Sequence, residues 1–140
     1  MGYHVIDVGD LEPLPDRTAT GYEISDHYVP SGDAVAHDAT RGPRHVGLRV
    51  YHGDPGEELG GAMHYHEEQE EIFHVVSGII HLKTPEETIE VTAGQTVVIE
   101  PGHPQHTFVP ADADESAHVI AIGAPSYRDL GRNDAVAYEE

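Results

Sequence analysis

Apolar and polar residues alternate in short stretches along this chain, and glycine or proline interrupts the alternation every few residues. His45 to Tyr51 is the clearest case. Val46, Leu48 and Val50 fall on one face of an extended segment, and His45, Arg49 and Tyr51 on the other. The same period of two predicts strands over Ala62–His66, Glu71–Ser77, Ile79–Lys83, Thr88–Thr92, Thr96–Glu100, His106–Val109 and Ala117–Ile122. Asp54-Pro55-Gly56, Gly78, Thr84–Glu87, Ala93-Gly94 and Pro101-Gly102 supply the turns between them. No long helical period and no internal repeat interrupts the pattern, so the expected fold class is all-β, a sandwich or barrel of short strands.

The ends are less regular. Tyr3–Val8 is a short apolar segment, expected as an edge or exchanged strand, and Gly9–Thr20, with Pro13 and Pro15, as an arm over the surface. Tyr22–Val29 reads as a strand ended by Pro30 and Gly32, and Asp33–Pro43 as a loop. The expected division is an arm with edge strands over 1–43, a barrel over 44–124 and a polar tail over 125–140. One helical turn is expected near Tyr127–Leu130. A chain of 140 residues is long enough for one domain with its own core.

Charge and composition narrow the function classes. The chain carries 26 Asp and Glu against seven Lys and Arg, a net charge of -19, and Lys83 is its one lysine. Such a surface repels nucleic acid and anionic membranes. The apolar residues cluster in alternating runs while the acids are scattered, which argues against an acidic disordered chain. The excess acid fits a halophilic-type protein, whose self-repulsion concentrated salt screens. No apolar stretch approaches the length of a membrane span. The N-terminus has neither a basic start nor an apolar signal core, so a cytoplasmic protein is expected. The absence of cysteine removes disulfides and thiolate metal sites, leaving histidine, carboxylate, amide and water as metal ligands. Those suit a divalent transition metal: Fe, Mn, Ni, Zn or Co.

The candidate chemistry lies between Gly60 and Gly78. His64 and His66 are two apart on a predicted strand and share its face, close enough for both imidazoles to reach one ion. Twelve histidines in 140 residues supply such a pair by chance, so its context carries the argument. Glu71 heads the next strand and shares a face with Phe73 and Val75, which places it inside. The neighbouring run from Glu67 to Glu70 reads as solvated charge. His74, His81 and His103 fit surface or turn positions better than ligand positions. Arg49 and Tyr51, with Phe73, are candidates to line a pocket and read an anionic group, and Arg49 and Tyr51 fit a surface position equally well.

These residues resemble a known family. His64-x-His66, Glu71 after four residues and Gly78 after six more are similar to the first motif of the cupins. Gly94, Glu100-Pro101-Gly102 and His103-Pro104-Gln105 resemble the second. The resemblance implies a small jelly roll, a double-stranded β-helix, with a metal held by the two histidines, the glutamate and a histidine from the second motif. At that last position this chain has Gln105, with His106 next to it. Strand alternation lets only one of the two face inward without a bulge, and the register favours Gln105.

A metal-dependent enzyme for a small polar metabolite is therefore expected, a dioxygenase first by analogy and an isomerase or lyase next. The alternative is a non-catalytic module that binds a small molecule or a metal. Uncovered sheet edges and the N-terminal segment point to a homodimer in which Tyr3–Val8 crosses between subunits.

Overall fold

The structure is a computed structural model that describes residues 2–15, 17–25 and 42–139. Among the described residues ten strands form: β1 Thr20–Glu23, β2 Gly47–Gly53, β3 His64–His66, β4 Glu70–Ser77, β5 Ile79–Lys83, β6 Thr88–Thr92, β7 Thr96–Ile99, β8 His106–Phe108, β9 Ala117–Ala124 and β10 Ala135–Ala137. All their pairings are antiparallel. One sheet has the order β1-β2-β9-β4-β7, a second has β6-β5-β8, and β10 pairs with β3. The arrangement is the double-stranded β-helix, an all-β jelly roll. Among the described residues no helix is long and apolar enough to cross a membrane.

Alternation decides what each strand buries. Along β4, Phe73 and Val75 point into the core, and β9 sends Val119 and Ala121 to meet them. Leu59, Ile80, Val91 and Val109 complete the core between the sheets. Gly78 makes the passage from the first sheet to the second. Its φ is +78°, and a Cβ there would stand 2.5 Å from the Ser116 carbonyl and 2.7 Å from Ala117 Cα. No side chain fits that corner, which explains a glycine closing the first motif.

The sequence expectations shift at several ends. The strand expected over His45–Tyr51 starts and ends two residues later, because pairing with β9 runs from Gly47↔Gly123 to Gly53↔Ala117. The strand expected from Ala62 begins at His64, where partners on β10 and at Gln105 become available. The helical turn forms at Tyr127–Leu130, capped by Ser126, whose hydroxyl accepts the Asp129 N–H. Tyr3–Val8 forms no strand within the chain. A 3-10 turn covers Val8–Asp10 instead, and Tyr3 and Val5 are 74% and 93% exposed. The expected strand Tyr22–Val29 is seen as Thr20–Glu23. Its far end, the breaks at Pro30 and Gly32, and most of the loop expected over Asp33–Pro43 lie outside the described residues.

Candidate metal centre

Two strands and one bridge bring the donors together. β3 is hydrogen-bonded to β10 on one side and, through His64, to Gln105 on the other: His64 N–H donates to the Gln105 carbonyl at 3.1 Å and Gln105 N–H to His64 at 2.9 Å. β4, paired with both β7 and β9, carries Glu71 opposite Ile99 and Gly123. His64, His66 and Glu71 each turn one ligand atom toward the same point, and these atoms lie within 4.8 Å of one another. His66 Nε2 is 2.9 Å from Glu71 Oε1, and His64 Nε2 is 3.9 Å from it.

The tautomers follow from the outer contacts. His64 Nδ1 is 2.9 Å from the Ala62 carbonyl, which only accepts, so Nδ1 carries the proton. His66 Nδ1 faces Asp134 Oδ1 at 2.7 Å and is protonated for the same reason. In the neutral rings both Nε2 lone pairs then face a carboxylate oxygen. Three electron-rich atoms so close repel one another unless a proton or a cation stands among them.

Without a metal, a proton can play that part. Burial opposes charge on His66, but the hydrogen bonds and charges of Glu71 and Asp134 outweigh it and raise its pKa above 6.5. Asp134 is 1% exposed; burial would raise its pKa, yet the bond to His66 and the N–H groups of Glu68 and Gln69, each at 2.8 Å from Oδ2, lower it below 3.8. The donor set fits a divalent transition metal: two neutral imidazoles, one carboxylate, and a carboxylate behind one of the rings.

Gln105 stands on the inward side of its bridge and is 2% exposed. Its Nε2 donates to Glu71 Oε1 at 3.2 Å, while its Oε1 is buried without a hydrogen-bond partner. A buried amide oxygen with nothing to accept from is unusual, and a half-turn of the amide would exchange its two ends. His106 turns the other way. Its Nδ1 lies 3.0 Å from the Gly61 carbonyl and its ring stacks on Phe108.

A cavity of about 270 Å3 opens beside the three donors. Arg49, Tyr51 and Phe73 line it, together with Arg17, Glu23 and Tyr127. The apolar side of the His45–Tyr51 alternation therefore faces outward, and the Arg49–Tyr51 side faces in. Arg49 is kept there by a buried partner, with its Nε 2.7 Å from Glu23 Oε1. Tyr127 packs its ring on His66, 6.1 Å between centres. Burial pushes its phenol above the ordinary value of 10.0; Arg49 opposes this, and Glu71, Asp134 and Glu23 reinforce it. It stays neutral.

Three further histidines considered from the sequence serve elsewhere. His74 meets Thr96 Oγ1 at 2.8 Å, His81 sits 3.5 Å from Glu90, and His103 lies in its turn beside the Pro104 carbonyl. Glu70 is exposed. Sequence reasoning missed Asp134, Glu23 and Tyr127. Two are single acids among 26, and Tyr127 and Asp134 belong to a segment with no apolar period. The one available signal was the helical turn that carries Tyr127.

The profile of the cupin domain matches residues 50–123. No curated protein matches the chain. Among solved structures, a protein of Acidithiobacillus ferrooxidans provisionally described as a sugar phosphate isomerase is 25% identical over 58% of this chain, with a TM-score of 0.51. That match spans about half, 51%, of the other chain. The polyketide cyclase RemF of Streptomyces resistomycificus is 17% identical, with 88% of this chain and 80% of that one covered and a TM-score of 0.62. Streptomyces Pac13, a nucleoside dehydratase seen with uridine, is 13% identical, with 99% and 93% covered and a TM-score of 0.67.

Proposed function

The chain belongs to the cupin family, and on that premise we propose that it is a metal-dependent enzyme acting on a small polar metabolite as an isomerase or lyase. His64, His66 and Glu71 are the metal ligands in this reading, and Gln105 offers its amide oxygen as the fourth. The observation that carries it is the convergence of three ligand atoms within 4.8 Å at the wall of a cavity. When bound, a divalent transition metal there polarises a carbonyl or hydroxyl oxygen of the substrate.

The chain's own residues do the rest. Asp134 holds the His66 ring in the tautomer that presents Nε2 to the site. Tyr127, kept neutral, caps His66 and walls the cavity. Phe73 and Tyr51, both buried, form part of the cavity wall. The names of three of the structural neighbours, a provisionally described isomerase, a cyclase and a dehydratase, support proton and bond rearrangement as the chemistry, by analogy of fold alone.

A second reading, a dioxygenase, is favoured by the donor set, because two histidines and one carboxylate suit Fe(II) oxygen chemistry. The test is to follow candidate sugar phosphates, hydroxy acids and enols by NMR with the protein as purified, while recording oxygen uptake. Conversion without oxygen uptake supports the isomerase or lyase; conversion with stoichiometric uptake moves the assignment to the dioxygenase. Metal-loaded protein silent on every compound moves it to a non-catalytic binding module.

We propose further that the protein is a homodimer. Tyr3 and Val5 stand exposed on the N-terminal segment. Leu48, Ile122, Ile72 and Val98 form an apolar row across four strands on the outer side of the larger sheet.

A further inference from the structure

We propose that the cavity takes a small carboxylate and that Arg17 is the residue that reads its charge. The substrate class so named rests on the metal-centre reading above, but the role of Arg17 is argued from its own surroundings.

Cations are scarce in this chain, seven against 26 acids, yet Arg17 and Arg49 both line the same cavity. Their situations differ. Arg49 is paired with Glu23, a carboxylate buried beside it, so its charge is already balanced. Arg17 donates from Nε to the Pro15 carbonyl at 3.1 Å and from Nη1 to the Tyr51 hydroxyl at 2.9 Å. Among the described residues no carboxylate pairs with it. These two bonds leave both Nη2 protons and one on Nη1 for a ligand, the pair of parallel donors that suits a carboxylate.

The guanidinium is also held in place. It lies over the Tyr51 ring, 5.9 Å from its centre. Tyr51 sits directly opposite Gly21 in the β1–β2 register, and a Cβ on Gly21 would come within 2.5 Å of the tyrosine ring. Glycine at that position thus gives Tyr51 room to lie where it meets Arg17. Having accepted from Arg17, the phenol keeps its own proton for a ligand oxygen.

The test is calorimetric titration of the purified protein with lactate, pyruvate, lactamide, pyruvamide and inorganic phosphate. It is repeated on Arg17→Gln and Arg17→Lys, with metal content measured on the same samples. The acids are expected to bind about tenfold or more tighter than their amides. Arg17→Gln should erase that preference while leaving metal content unchanged, and Arg17→Lys should restore part of it. The proposal is overturned if neither acid binds, if acids and amides bind alike, if phosphate binds more tightly than the acids, or if Arg17→Gln keeps the preference. Wild-type protein without metal would instead sink the metal-centre reading, and the acid–amide comparison would still decide the role of Arg17.

Discussion

His66 donates a hydrogen bond from Nδ1–H to Asp134 Oδ1 at 2.7 Å, across 68 residues of chain. The contact ties the polar C-terminal segment into the centre of the barrel. Asp134 also accepts the N–H groups of Glu68 and Gln69, so it fixes the start of β4 as well as the ring.

Asp134→Asn is therefore expected to weaken metal binding by about 10–100-fold. The amide has one accepting oxygen, so either the His66 proton or the two backbone N–H groups lose their acceptor. Competition with a chromophoric chelator reads the affinity. Asp134→Ala leaves three donors unanswered and is expected to cost about 1–3 kcal/mol of stability, measured by denaturant unfolding.

Proton and metal compete for His66. Its pKa is raised above 6.5 in the folded, metal-free protein. Its stabilisation of that form is fully present below 6.5 and is lost as pH rises through the raised value. Asp134 has its pKa lowered below 3.8, so its stabilisation is present above 3.8 and lost as pH falls through the lowered value. Melting temperatures of the metal-free protein should thus fall as pH rises above 6.5 through the raised value, while metal affinity rises over the same range. Titrations in buffers of different ionisation enthalpy should show a proton released on metal binding. Affinity independent of pH would contradict this.

Gln105 and His106 separate cleanly as tests. Gln105→Leu removes both the donor to Glu71 and the orphaned amide oxygen, and is expected to lower metal affinity by about tenfold or more. His106→Ala should leave affinity unchanged, because that ring faces Gly61 and Phe108. The reverse result would make His106 the fourth ligand.

What the sequence revealed follows from the kind of signal each residue leaves. Strands such as Ile79–Lys83 and Thr88–Thr92 are legible because alternation and flanking turns agree. Glu71 was separable from Glu70 by the face it shares with Phe73. Gln105 was separable from His106 by register. Asp134 was not legible: it acts through a tertiary contact, and β10 is three residues long with no periodicity to announce it. Nor could alternation decide which side of β2 faces inward. The polar side wins because the barrel encloses a polar cavity, with Glu23 buried to meet Arg49.

Association and salt can be measured together. Light scattering should give a dimer, and truncation before Val8 should shift it toward monomer by removing Tyr3 and Val5. Melting temperature should rise with KCl, since the Debye length falls from about 10 Å at 0.1 M to about 3 Å at 1 M and the net charge of -19 is screened. A monomer in high salt, or stability indifferent to KCl, would count against these expectations.

The most direct measurement is an anomalous difference map from crystals of protein purified without added metal. The expected result is one strong peak at about 2.0–2.2 Å from Nε2 of His64, Nε2 of His66 and a carboxylate oxygen of Glu71. A peak held by other residues, or no peak with these three side chains turned apart, would contradict the metal centre on which the proposed chemistry depends.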